Sequence, residues 1–198
     1  MNRYIAFLAT VFFTMSLMLN AQDLAQDLGV FQQIETETLD GEDFIFPDGL
    51  RAKRLNIVLL ALSEDQDNGT WQGEALVDWY AALEAKGILS EDVLAWHFSF
   101  MKVPFFVKSF VRGGMADDYA GKIPLDQAGP VFIKDVPGFA AEAGIAMDGQ
   151  PSIVLVSPDG QLLQLFKGEV TDENLASLCA AVTSYLAESQ AVADQVLT

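Results

Sequence analysis

Residues 150–167 read QPSIVLVSPDGQLLQLFK, and the reading of this stretch decides the fold. Pro151 opens a run of β-branched and aliphatic residues over 152–156, a Ser-Pro-Asp-Gly segment follows at 157–160, and a second apolar run over 161–166 leads back. Proline presets φ and glycine supplies a positive φ, so the pattern predicts a β-hairpin. A proline cannot donate to a strand ladder, which puts Pro151 at the first residue of its strand. After Gly168 the chain turns helical. Thr171 is suited to cap that helix, with Asp172 and Glu173 in the first turn where the helix dipole favours anions.

The order X-Pro, strand, turn, strand, Gly, helix resembles the C-terminal half of the thioredoxin fold, in which a cis-proline opens the hairpin. Residues 131–134 (VFIK) look like the strand that precedes it, and 139–145 (FAAEAGI) like the short helix between them. Upstream, 36–46 reads as a small hairpin around Asp40-Gly41. The run LNIVLLAL over 55–62 reads as a strand buried on both faces of a sheet. The expected architecture is α/β: a thioredoxin-like three-layer α/β/α sandwich with an N-terminal β-hairpin extension and an antiparallel C-terminal hairpin.

Between these anchors the pattern predicts a polar loop over 63–72 and a helix over 73–86, with Leu76, Trp79, Tyr80 and Leu83 on one face and Gly87 closing it. A strand follows over 93–100. A further helix starts at Pro104, with Phe106, Val107, Phe110 and Val111 as an apolar stripe opposite Lys108 and Arg112, and ends at Gly113-Gly114. Residues 115–129 carry no clear pattern and read as an irregular insertion. The last helix spans 171–186, and residues 188–198 read as a frayed tail.

Composition narrows function more than it defines it. The chain has 198 residues, half of them hydrophobic, enough for one domain with a full core. A formal charge of -17 with only 11 Lys and Arg excludes a nucleic-acid binder and disfavours anionic membrane surfaces. Arg3, then a nearly all-apolar run over 5–19, then Leu-Asn-Ala before Gln22 reads as a secretory signal peptide cleaved after Ala21. The predicted organisation is therefore a signal peptide at 1–21, a flexible lead-in at 22–35, the domain at 36–187 and the tail at 188–198. It implies a periplasmic or secreted protein, with no stable membrane insertion once the signal is removed.

The segments VPFFVKSFVR (103–112), PVFIKD (130–135) and PSIVLVSPDGQLLQLFKGEVTDENL (151–175) are similar to the YtfJ-like periplasmic proteins. That resemblance implies a thioredoxin-like fold and an extracytoplasmic compartment, and no particular reaction.

Catalytic candidates fail one by one. Thioredoxin-like enzymes place a nucleophilic cysteine at the N-terminus of the helix after the first long strand, where the dipole and free N–H groups stabilise a thiolate. Here that place is SEDQDNGTWQ, residues 63–72, without cysteine, so thiol exchange cannot run there. Cys179 falls at core spacing with Leu175, Leu178, Val182 and Leu186, which predicts a packed side chain rather than a reactive one. His97 is the single histidine; with no partner for a triad it reads as a hydrogen-bonded core or strand-edge residue. Residues 65–69 (DQDNG) imitate the start of a calcium loop, but the sixth and twelfth places hold Thr70 and Leu76 instead of glycine and glutamate. No catalytic, metal or cofactor residues are therefore assigned.

What remains is binding. The thioredoxin resemblance implies that the start of the first long helix faces the Gln150-Pro151 turn. A cis bond there would leave Gln150 backbone groups open to an extended peptide. The expected binding groove consists of Thr70, Trp71, Gln150 and Pro151, for a peptide or protein partner. The alternative is an oxidoreductase of the thioredoxin and peroxiredoxin class acting with unusual residues or a partner's cysteines. A third reading gives the phenylalanine-rich segment after Pro104 an interface role.

Overall fold

The computed structural model describes residues 28–196, with side chains through residue 191. The expected signal peptide lies outside the described residues, as does residue 22–27 of the lead-in. Strands β1 (Ile34–Glu37) and β2 (Asp43–Phe46) pair antiparallel as the predicted leading hairpin. Gly41 sits in its turn at φ 93, a value that only glycine adopts freely. Leu28 to Gln33 were expected to be flexible, yet the N–H groups of Gly29 and Val30 donate to the carbonyls of Ala143 and Glu142. Phe31 is buried there and stacks on Phe139 at 5.7 Å. A single large aromatic is enough to hold the segment to the core.

The central sheet has five strands. Strand β3 (Leu55–Leu62) is buried at every residue. On one side it pairs parallel with β4 (Val93–Met101), which pairs parallel with β5 (Ala128–Phe132). On the other side it pairs antiparallel with β6 (Ser152–Val156), which forms the C-terminal hairpin with β7 (Leu162–Lys167). The order is β5-β4-β3-β6-β7. The deciding stretch is the hairpin expected from it: Gly160 turns at φ 85, and Ser157 ties the corner by bonds to Gln161 and to the Asp159 carboxylate.

Alternation along the strands divides the core in two. Leu55, Ile57, Leu59 and Ala61 of β3 face helices α1 (Gln66–Ala85) and the last helix, through Leu76, Trp79, Leu83, Leu175, Leu178 and Val182. Val58, Leu60 and Leu62 face an aromatic layer of Phe31, Phe44, Phe46, Trp96, Phe98, Phe100 and Phe139. Phe46, with no exposed surface, touches four other rings at 4.9–6.0 Å. The hairpin also covers the β5 edge: Thr36 Oγ1 donates to the Pro130 carbonyl at 2.7 Å, and Leu39 N–H to Ala128 at 2.8 Å. Pro130 lies at a sheet edge, where a missing donor costs least.

Several boundaries differ from the sequence reading. Helix α1 begins at Gln66, not 73, because Asp65 is extended (φ -93, ψ 129) and its carboxylate accepts from Asn68 N–H at 2.8 Å. Helix α2 (Lys108–Tyr119), preceded by a 3-10 turn at Phe105–Val107, runs through Gly113-Gly114. Its far end is held by Tyr119, whose buried ring stacks on His97 at 4.8 Å, and that packing outweighs the roughly 1 kcal/mol each glycine costs in a helix. The stretch expected to be irregular thus holds the end of α2, a 3-10 turn at Leu125–Gln127 and the start of β5. The short helix α3 (Val136–Glu142) starts earlier than expected, capped by the Asp135 carboxylate on Gly138 N–H. Helix α4 (Asp172–Val196) starts behind Thr171, which accepts from Asn174 N–H at 3.1 Å. It continues past the expected end because Arg54 reaches it, donating to Leu186 carbonyl and to Ser189 Oγ.

Candidate functional site

The start of α1 and the 148–151 turn are brought together, as expected. Asp65 caps the helix, so Thr70 and Trp71 are helical residues rather than loop residues. Thr70 is exposed and its hydroxyl donates back to Gln66 carbonyl at 3.0 Å; Trp71 is half-buried. The join itself is made by residues that the sequence reading passed over. Asn68 Nδ2 donates to the Gly149 carbonyl at 2.9 Å, and Asn68 Oδ1 accepts from Gln72 Nε2 at 2.7 Å. Gln72 is fully buried, and its amide also pairs with both backbone groups of Leu62, at 2.9 and 3.2 Å. A relay of amides therefore runs from the end of β3 through α1 to the turn before β6. Its sequence signal was available: polar residues at 68 and 72 precede Leu76 at i, i+4 spacing on the buried face.

On the other wall, Gly149 takes φ 80. Gln150 is exposed and its N–H donates to Asp148 Oδ1 at 3.1 Å, while Pro151 is buried and its carbonyl accepts from Gly168 N–H at 3.0 Å. The Gln150-Pro151 bond is trans; the cis bond among the described residues is Phe46-Pro47. This corrects the expectation carried by the resemblance. The Gln150 N–H is taken by a local turn rather than left open to a ligand. Lys167 fixes this turn, reaching Ala146 carbonyl at 2.7 Å, Ser152 Oγ at 3.1 Å and Asp148 at 2.8 Å. Partial burial pulls Asp148 upward, but the bonds from Lys167 and the Gln150 N–H hold it below the usual carboxylate range.

The residues weighed for chemistry lie elsewhere. His97 is fully buried on β4; its Nε2 sits 3.4 Å from the Tyr119 hydroxyl, and its Nδ1 has no hydrogen-bond partner among the described residues. Burial lowers its pKa to about 3, so the ring is neutral. Burial likewise pushes Tyr119 up to about 12, against the pull of a hydrogen bond with Ser99. A neutral imidazole on a protonated phenol is core packing with a polar contact, matching the sequence reading. Cys179 on α4 is half-buried against the first core, also as read. Among the described residues no three His, Cys, Asp or Glu side chains converge to hold a metal.

No family model matches the chain, and no curated protein matches it. Solved structures do. BsSco, a member of the Sco family of cytochrome c oxidase assembly proteins, aligns with a TM-score of 0.52 at 15% identity, over 81% of this chain and 95% of that one. Yeast Sco1 with copper bound aligns with a TM-score of 0.53 at 12% identity, over 79% and 94%. The fold is thioredoxin-like. A thiol:disulfide interchange protein of the thioredoxin family from Chlorobium tepidum TLS also aligns, with a TM-score of 0.48 at 12% identity, over 80% and 97%. At such identities the likeness extends to the fold alone. The copper is a property of yeast Sco1 and is not carried over to this chain.

Proposed function

We propose that this chain is an exported, thioredoxin-fold accessory module that binds a peptide or protein partner and does no thiol chemistry of its own. The observation that carries the reading is the occupancy of the catalytic corner. Where thioredoxin-like enzymes need a thiolate at the helix start, Asp65 caps the helix and Asn68 spends its amide on Gly149. The corner is thereby stitched shut by amides and given no nucleophile. Around it, exposed Thr70 and Gln150 with half-buried Trp71 beside the buried Pro151 offer polar groups next to an aromatic ring, suited to an extended segment. Export follows from the N-terminal charge, apolar run and small residue at 21, and the similarity to the YtfJ-like periplasmic proteins belongs with that reading.

The test is site-directed photocrosslinking in cells, with a benzophenone residue at position 70 or 150. Discrete partner adducts are expected there, and none from the remote exposed position 91. Equal labelling from all three positions would remove the groove reading. The alternative, an oxidoreductase working through unusual residues or a partner's cysteines, is favoured if the protein reduces insulin or consumes peroxide and Cys179→Ser abolishes that activity.

A further inference from the structure

The apolar stripe read on helix α2 divides in the structure. Val107 and Val111 are half-buried, while Phe106 and Phe110, with Phe105 just before the helix, are 83%, 83% and 88% exposed. The cations lean on the body: Lys108 Nζ lies over the Phe132 ring at 5.1 Å, and Arg112 pairs with Glu37 at 2.5 Å. On the same outward face, one turn beyond Phe110, come Gly113 and Gly114, both exposed, where an added Cβ would meet nothing within 4 Å. Two glycines in a helix interior cost about 1 kcal/mol each, and nothing inside this chain requires them. Half of the face is therefore bulky and half is bare backbone.

The charges are also arranged against the helix itself. No side chain caps either Pro104 or Val107, so the first N–H groups of the 3-10 turn and of α2 have no side-chain acceptor, and Lys108 stands at that positive end. Asp117 and Asp118, both exposed, occupy the last turn, where the dipole disfavours anions. A helix lying antiparallel on this one would reverse both relations.

We propose that this face of α2 is a homodimer interface, in which two copies cross antiparallel about a two-fold axis level with residue 112. In that register Phe110 of each copy lies on the bare glycine backbone of the other, bulk into hollow, as an isologous contact requires. The same register carries Asp117 and Asp118 to the uncapped helix start of the opposite copy. A second copy is the occupant favoured over an anionic bilayer, because it sets Asp117 and Asp118 against the uncapped, Lys108-bearing helix start, whereas a bilayer would set them against its own negative charge. Three phenylalanines supply about 400–600 Å² per copy, short of the roughly 800 Å² of a standard interface, so the dimer exchanges with monomer.

Sedimentation velocity of the protein as purified from cells, over a hundredfold range of concentration into the high micromolar range, reads this directly. A concentration-dependent shift from monomer to dimer is expected. Phe110→Ser and, separately, Gly114→Gln are expected to leave monomer only, with unchanged circular dichroism and thermal midpoint because both sites face solvent. Asp117→Lys/Asp118→Lys is expected to weaken the dimer at least tenfold. A monomer at every concentration overturns the proposal, as does a dimer that survives both Phe110→Ser and Gly114→Gln. Flotation with phosphatidylethanolamine–phosphatidylglycerol vesicles that is lost in Phe110→Ser would overturn it too, assigning the face to lipid.

Discussion

Asn68 Nδ2 lies 2.9 Å from the carbonyl oxygen of Gly149, across 81 residues of chain. That bond, continued by Gln72 to Leu62, joins the helix start to the turn before β6 and leaves the corner closed by amides. Gln72→Leu keeps the volume but strips the partners from the Leu62 N–H and carbonyl and from Asn68. A loss of about 1–3 kcal/mol is expected, read as a lower urea midpoint at unchanged slope. An unaltered midpoint would mean that water replaces the amide without cost.

His97 gives the fold a dependence on acidity. Its pKa is about 3 when folded against 6.5 for the free side chain. Between those values the unfolded chain binds the proton and the folded chain does not, so stability is full above pH 6.5 and falls as the pH drops through the window. Replacing the ring with an uncharged one, His97→Phe, should flatten the curve of urea midpoint against pH between 6.5 and about 5, where most carboxylates are still ionised. Parallel curves for the two proteins would contradict the burial of a neutral ring.

Gly129 is where the hairpin crosses the β5 edge. A Cβ there would lie 2.7 Å from the Glu37 carbonyl oxygen, a backbone atom that cannot step aside. Gly129→Ala is expected to cost about 1–3 kcal/mol through overpacking, seen as a lower thermal midpoint with faster amide exchange at Thr38 and Leu39.

Cys179 packs half-buried against the first core. Its reaction with a maleimide should be slow in the native protein and rise at least tenfold in urea. Equal rates would place the thiol at the surface, and the helix pattern that puts it inward would be wrong.

Most of the architecture was legible because burial leaves a pattern: unbroken apolar runs on β3 and β6, which are buried on both faces, and a period of 3.6 on α1 and α4. The errors fell where a single polar side chain or ring decides an end. Asp65 moved the start of α1 by seven residues, and Tyr119 stacking on His97 carried α2 across two glycines. Thr70 and Trp71 fall inside α1 rather than in a loop before it, and the bonds that join α1 to the 148–151 turn belong to Asn68 and Gln72, with Lys167 fixing the turn.

By itself the sequence determined a thioredoxin-like α/β sheet without a thiol at its catalytic corner, since apolar periodicity and the absence of a residue type are both local properties. Only the tertiary structure decided which polar groups meet at that corner and which way the phenylalanines of α2 point. Those outcomes depend on contacts between segments far apart in the chain, where Phe132 and Glu37 hold Lys108 and Arg112 inward and leave Phe106 and Phe110 to the solvent.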